Sequence, residues 1–446
     1  MSRPSGGEGG SVSAVVTARS TGTSTSDDQG LSVVRVGLLG FGVVGQAVAR
    51  TATQASDRLA EAGVLIKCVA ALVRDPHKPR VAPDLLTVSD PNDFPFHQCD
   101  VIVEALGGLE PARTLVCRAL EAGIPVVTAN KTLVAHHGAE LARCAEAHGT
   151  TMLFEAAVLA GVPCVNTLAR RPLASGAGRL SGILNGTSHF VLTRMANGET
   201  FERALCEARE RGYAEPSSDA DTSGLDAAEK LTILLHLAGH GDVTVATLPR
   251  RGLDSLEPWH LDYAGRLSGV IKPVALAQTS GPTAGAWVGP TFVPSSDPLA
   301  ALSGVTNSLT VGAGASAVTF TGPGAGPEVT AATILDDVLE TAARATTRQA
   351  RCPQAPSVAD VLANIPAGAW FIALDGVRSS SGDLAEFLAA RHLPAVFLVG
   401  DAGRYAAITA PASSVTLREV VDALTTSGVR VTWLPVLACA GEVSCG

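Results

Sequence analysis

Asp226 and Lys230 stand four residues apart in a stretch of helical periodicity, so their side chains share one helix face. Taken alone, such a pair is most often an ordinary surface salt bridge worth a few tenths of a kcal/mol. The carboxylate-rich stretch EPSSDAD, residues 215–221, lies just upstream and changes the reading. Glu215 and Asp221 there are placed to grip a substrate ammonium while Lys230 handles a proton. A second chemical signature is Gly40-Phe41-Gly42-Val43-Val44-Gly45, which satisfies the dinucleotide pattern G-x-G-x-x-G. Its first glycine permits a tight turn, the second lets backbone approach a pyrophosphate, and the third lets helix pack on strand. The following helix then presents its N-terminus to the phosphates. In a chain with 46 glycines the pattern alone is weak, and a plain strand–helix turn is the alternative. Its context is what gives it weight, because the apolar strand LSVVRVGLLG precedes it and a helical segment follows.

The elements that must hold these groups alternate. A helix is predicted over Val44–Glu61, strands over Val64–Val73 and Asp100–Glu104, and a helix that closes at Gly123. The stretch IPVVTAN reads as a strand and KTLVAHHGAELARCAEAHG as a helix. Strand–helix alternation of this kind means an α/β, Rossmann-type doubly wound parallel sheet, here over 31–153 and completed by about 322–340. Past the second strand, Arg74, Lys78 and Arg80 would suit a 2′-phosphate, whereas Asp75 would suit free ribose hydroxyls. The basic residues tilt the reading modestly toward NADP over NAD.

After Thr150 strands and helices mix, with a strong helix over Leu225–Ala238 and strand-prone stretches from Thr279 to Thr321. Residues 154–321 are therefore expected to form an α+β catalytic and dimerisation domain with a mostly antiparallel sheet. A linker is expected over 341–366. Residues 367–438 read βαββαβ, the order of a small ferredoxin-like domain. Residues 1–30, rich in Ser, Gly and Thr, read as a disordered tail.

Composition narrows the partners. Net charge is −9 and the sequence pI is near 5.6, so no basic footprint points to nucleic acid. Mean hydropathy is high at +0.27, yet the most apolar stretch, Leu231–Leu237, is interrupted by His236 and followed by His240 and Asp242. That falls far short of the roughly 20 residues a spanning helix needs. The nine cysteines form no C-x-x-C pair and read as reduced thiols of a cytoplasmic protein.

Beyond the fingerprint, six blocks occur in order: DVIVEALGGLEPA (100–112), PVVTANKTLVAHHG (125–138), FEAAVLAGVP (154–163), GILNGTSHFVLTRM (182–195), GYAEPSSDADTSGLDAAEKL (212–231) and GPGAG (322–326). Through them the chain resembles the homoserine dehydrogenase family from about Val34 to Glu340. The resemblance implies reversible NAD(P)H-dependent reduction of L-aspartate 4-semialdehyde to L-homoserine, in threonine, methionine and isoleucine biosynthesis. It implies Lys230 as the catalytic lysine, Asp226 beside it, and Glu215 and Asp221 at the amino-acid end of the substrate. Asn130 ends the VVTAN strand and Lys131 follows it, at the crevice of an open α/β sheet, and they are expected to meet cofactor and, for Lys131, substrate. A lysine opposes the positive end of a helix dipole, so its placement favours ligand contact over stability. Gly322 and Gly326 resemble the segment that returns to the cofactor.

A monovalent cation, Na+ or K+, is implied at Glu155 and the carbonyls of Val158, Ala160 and Val162. Leu159 departs from the small residue usual in that turn. The C-terminal unit resembles an ACT domain but carries GVRSSSGDLAEFL where an R-P-G-V-L-like turn is common. Effector binding and a structural or oligomerising role both stay open for it. A homodimer or homotetramer is expected. Other readings are an oxidoreductase acting on an analogous amino-acid aldehyde, or an inactive dinucleotide-binding sensor.

Overall fold

The computed structural model describes residues 31–75, 78, 85–170, 178–214, 219–281, 283–314, 317–343 and 358–438. The expected N-terminal tail, Glu215, Arg80 and most of the linker lie outside them.

Six strands form the first sheet: β1 (Ser32–Leu39), β2 (Val64–Leu72), β3 (Leu86–Val88), β4 (Val101–Glu104), β5 (Val126–Thr128) and β6 (Met152–Leu153). They are parallel in the order β3-β2-β1-β4-β5-β6, so the chain reverses direction across the sheet between β1 and β4. Continuous apolar strands suit a sheet covered on both faces, and the helices α1 (Val43–Gln54), α2 (Ala112–Glu121) and α3 (Lys131–Ala147) do the covering. The helix expected to run to Glu61 instead breaks at Ala55 and resumes as a short turn, Ser56–Glu61. Thr51 and Thr53 fill its last turn, and the Thr53 hydroxyl bonds back to the Ala49 carbonyl, which weakens helix continuation.

The second sheet is antiparallel throughout. Its strands are β7 (Arg179–Ile183), β8 (Gly269–Gln278), β9 (Gly285–Pro294), β10 (Thr306–Val311) and β11 (Val318–Pro323), in the order β11-β10-β7-β8-β9. β8 begins ten residues before the window expected from the sequence. Pro273 within it lies opposite Pro290 of β9 and outside the stretch of β8 that pairs with β7. Against this sheet pack α4 (Gly186–Ala196), α5 (Leu225–Leu237) and α6 (Pro258–Arg266). α5 is buried nearly all round, Asp226 and Lys230 included. The last helix of the region, α7 (Pro327–Ala343), returns to the first sheet: Ala331, Ile334, Leu335 and Val338 share a core with Leu38, Ala47 and Val48.

The C-terminal unit has the expected order: β12 (Trp370–Asp375), α8 (Ser381–Ala389), β13 (Ala395–Asp401), β14 (Arg404–Thr409), α9 (Ser414–Thr426) and β15 (Arg430–Pro435). Its antiparallel order β13-β14-β12-β15 is the ferredoxin-like arrangement. Trp370, Ile372 and Leu374 face its two helices. On the opposite face, Phe371, Ala373, Ala406 and Leu434 join one core with Phe190, Met195, Leu261 and Phe292 of the preceding region. The unit is therefore packed onto its neighbour through one face of its sheet. Part of the expected linker is docked too, since Asp242 caps the amides of Val358 and Ala359 and Leu362 is buried. Among the described residues no helix is long and apolar enough to cross a membrane.

Candidate active site

The strand reversal between β1 and β4 opens a crevice at the carboxyl ends of the strands, where open α/β sheets take their ligands. Gly40 sits there with φ +103°, and a side-chain carbon on it would lie 2.6 Å from the Ala105 carbonyl oxygen. Gly45 is closed off by the Gly40 backbone, whereas Gly42 faces open space. Gly42 is also the N-cap of α1 and, having no side chain, leaves the first amides of α1 uncapped, with Val43 68% exposed beside them. The fingerprint glycines thus divide as their spacing requires: two are forced by packing and one is left for an anion. Phe41 is buried under the turn and Val44 is half-buried. Arg74, Asp75 and Lys78 are all exposed beyond β2.

Across the crevice, β4 ends in Glu104, a fully buried carboxylate that the sequence reading missed. Four donors converge on it: the Leu106 amide at 2.8 Å, the Gly107 amide at 3.3 Å, the Asn130 amide group at 3.4 Å and the Thr128 hydroxyl at 2.5 Å. Burial pushes its pKa up while these donors pull it down, with a net rise. Asn130 also donates to the Gly108 carbonyl at 2.7 Å and caps α3 by accepting from Leu133. One carboxylate therefore ties the loop after β4, the end of β5 and the start of α3 together. An acidic residue ending an apolar strand, VIVE, was the available signal.

Lys131 opens α3, and its ammonium meets Asp226 of α5 at 3.0 Å. Lys230, one turn along α5, meets the other oxygen of the same carboxylate at 3.0 Å and donates to the Leu184 carbonyl at 2.9 Å. The side chains of Asp226 and Lys230 are 6% and 10% exposed, against 37% for Lys131. Burial alone would push the Asp226 carboxyl up, but Lys230, Lys131 and Asn185 together hold it well below the ordinary carboxylate range. Reciprocally, the Asp226 charge raises the Lys131 pKa against the opposing effect of burial. Asn185 caps α4 through Ser188, and its amide donates at 2.8 Å to both Asp226 and Asp221. Neither its cap nor its bridge between two carboxylates was read from the sequence. Burial raises the Asp221 pKa, opposed by Asn185. A second tie between α3 and α5 joins Thr132 to Glu229 at 3.1 Å. Two cations and two carboxylates from both units thus meet at one cleft, suited to gripping a zwitterion and moving a proton.

The remaining expected residues lie behind this cleft. The Glu155 carboxylate accepts the amides of Val165 at 2.8 Å and Asn166 at 2.7 Å, so it caps the short helix Val165–Arg170. Val158, Leu159, Ala160 and Val162 are buried in the adjoining turn, and the Ala160 carbonyl already accepts the Thr333 hydroxyl. Gly322, next to last in β11, lies against Val162, and Gly326, at φ +133°, begins the return to α7.

Residues 40–155 match the family model for the homoserine dehydrogenase NAD-binding domain, and residues 163–339 match the homoserine dehydrogenase model. A homoserine dehydrogenase from Corynebacterium glutamicum is 39% identical over 318 residues, covering 69% of this chain and 72% of the relative. This chain belongs to the homoserine dehydrogenase family. A Bacillus subtilis homoserine dehydrogenase is 33% identical, over 69% of this chain and 73% of its own. The solved structure of a homoserine dehydrogenase from Thiobacillus denitrificans superimposes with a TM-score of 0.81 at 30% identity, covering 92% of this chain and all of that one. Family likeness in sequence thus spans about two thirds of the chain, whereas likeness in fold extends through the C-terminal unit. Membership makes the chain an oxidoreductase, with its NAD(P)-binding domain over residues 40–155.

Proposed function

We propose that the chain interconverts L-aspartate 4-semialdehyde and L-homoserine, with Lys230 as the proton-transfer group. The observation that carries this reading is the single carboxylate, Asp226, shared at 3.0 Å by ammoniums from both sides of the cleft. The nicotinamide cofactor, when bound, supplies or accepts the hydride. The chain's own residues do the rest. Asp221, with Glu215, takes the substrate ammonium. Lys131, made more basic than a free lysine by Asp226, stays a cation and steadies negative charge developing on the aldehyde oxygen. Lys230, anchored by Asp226 and the Leu184 carbonyl, keeps one N–H to deliver to that oxygen.

Arg74 and Lys78 favour NADP, and the buried carbonyls of Val158, Ala160 and Val162 offer hard oxygen donors to Na+ or K+. With its Glu155 carboxylate committed to a helix cap, that cation would lean on main-chain oxygens. A homodimer or homotetramer remains our expectation for the assembly.

The test is oxidation of L-homoserine followed by absorbance of the reduced cofactor, with NADP and with NAD. Turnover is expected, faster with NADP, and Lys230→Ala should abolish most of it while cofactor binding stays intact. Well-folded protein silent with both cofactors would overturn the assignment. Arg74→Ala should raise KM for NADP and leave that for NAD unchanged; equal effects on both would remove Arg74 from the 2′-phosphate site.

A further inference from the structure

The segment between α5 and α6 carries Arg251, which no step above uses. Its backbone lies along β9, the amide donating to the Val288 carbonyl at 2.9 Å. Its side chain leaves this region and reaches β15, where Nη1 donates to the Trp433 carbonyl at 2.7 Å. The guanidinium also sits 4.0 Å from the centre of the Trp433 ring. Trp433 is itself wedged between Trp287 of β9 and Trp370 of β12, with ring centres 5.8 and 5.7 Å away. A planar cation that both stacks on a ring and bonds the same residue's carbonyl has little freedom to shift.

The other side of the same segment leads to the substrate end of the cleft. Two residues past Arg251, the Leu253 amide donates to the Thr222 carbonyl at 3.0 Å. Thr222 closes the helical turn Asp219–Thr222, which carries Asp221. The Asp221 carbonyl accepts the Ser188 hydroxyl at 2.6 Å, and its carboxylate shares Asn185 with Asp226. Gly224, the N-cap of α5 at φ +81°, fits against the Arg251 carbonyl and Val288. A small cavity between Asn185, Thr222, Gly224 and Arg251 leaves these groups room to shift if the segment is released.

We infer that Arg251 and Trp433 are positioning residues for the substrate carboxylate Asp221, through which the C-terminal unit sets the geometry of the substrate end of the cleft. This rests on the functional reading above, in which Asp221 takes the substrate ammonium. The contact is a clamp, with Trp433 fixing Arg251 and the Arg251 segment fixing the turn before α5. Its loss weakens capture of the amino-acid end and leaves the dinucleotide crevice, on the far side of Asp226, undisturbed.

The experiment uses the full chain with Arg251→Gln, Arg251→Lys, Trp433→Leu and the double variant Arg251→Gln/Trp433→Leu. KM for L-homoserine is expected to rise about tenfold in each single variant, with NADPH affinity within about twofold of the parent. Lys at 251 should fail to rescue, lacking the planar fork, and the double variant should be no worse than either single. Leu120→Ala, in the core beneath α2 of the first sheet and away from the clamp, serves as the stability control and should lower Tm without moving KM. Hydrogen exchange over 219–226 provides a readout independent of turnover, and should speed up in the clamp variants but not in the control. If the parent does not oxidise L-homoserine, the functional reading fails, and the exchange data still decide the clamp. Unchanged KM and unchanged exchange in the clamp variants, or KM effects that simply add in the double variant, would overturn the inference.

Discussion

Replacing Asp226 by Asn removes one negative charge and almost no volume, so its effect isolates the electrostatics of the cleft. At 3.0 Å and an effective dielectric near 20, each ammonium contact is worth about 5 kcal/mol before desolvation is counted. The net cost of breaking such a buried pair is about 3–5 kcal/mol. The two lysines do not share that cost equally. Lys131 is 37% exposed and can turn to water, whereas Lys230 is 10% exposed and keeps only the Leu184 carbonyl. Lys230 therefore loses the carboxylate that holds its amine in line and is left misplaced for proton delivery. A loss of about 3–4 kcal/mol of transition-state stabilisation corresponds to a fall of roughly two to three decades in kcat. Both directions should slow, because each needs the amine held against the reacting oxygen. The assay is steady-state kinetics in both directions from pH 6 to 9, with NADPH affinity measured separately. Because Asp226 itself titrates well below that range, the parent profile carries no contribution from it. A kcat within tenfold of the parent in both directions would refute the shared-carboxylate mechanism.

Gly40→Ala should abolish dinucleotide binding, because φ +103° and the Ala105 carbonyl both exclude a side chain; retained binding by calorimetry would refute the turn geometry. Glu104→Ala strands several buried donors at about 1–3 kcal/mol each, so it should lower Tm and kcat together, with Glu104→Gln recovering part of both. Equal kinetics for Ala and Gln at that position would show that the network does not orient the start of α3. Burial raises the Asp337 carboxyl to about 7, against an ordinary value of 3.8. The folded state then holds a proton that the unfolded chain has lost, so stability falls as pH rises from about 4 to about 7 and levels off above. Asp337→Asn should flatten that part of a Tm–pH curve, and an unchanged slope would assign it to other groups.

The parts of this molecule that could be read from its sequence are those whose constraint is local. Gly40, Gly42 and Gly45 reveal themselves because a turn, an open approach and a tight packing each demand a missing side chain within six residues. Asp226 and Lys230 are visible as partners because helix periodicity alone brings them to one face. Lys131 and Asp226 are 95 residues apart in the chain, and only the docking of α3 on α5 makes them neighbours. Glu104 escaped notice because its partners come from a loop, a strand end and a helix cap, none of which repeats with a period. The fate of the C-terminal unit was hidden for a related reason. The run WFIAL announces burial of both faces of β12, but not that the second face belongs to a different part of the chain.

The return of α7 to the first sheet has a consequence for how the chain is made. Its apolar side fills the core over α1 and β1, so the first domain to leave the ribosome remains unfinished until residues 327–343 emerge. Until then the nascent chain exposes the apolar surface of Val36, Leu38, Ala47 and Val48 while about three hundred further residues are added. A structure closed by such a distant segment is slow to complete, because loop closure must precede the contacts that reward it. Protection of that half-built surface during synthesis is a requirement set by topology rather than by catalysis.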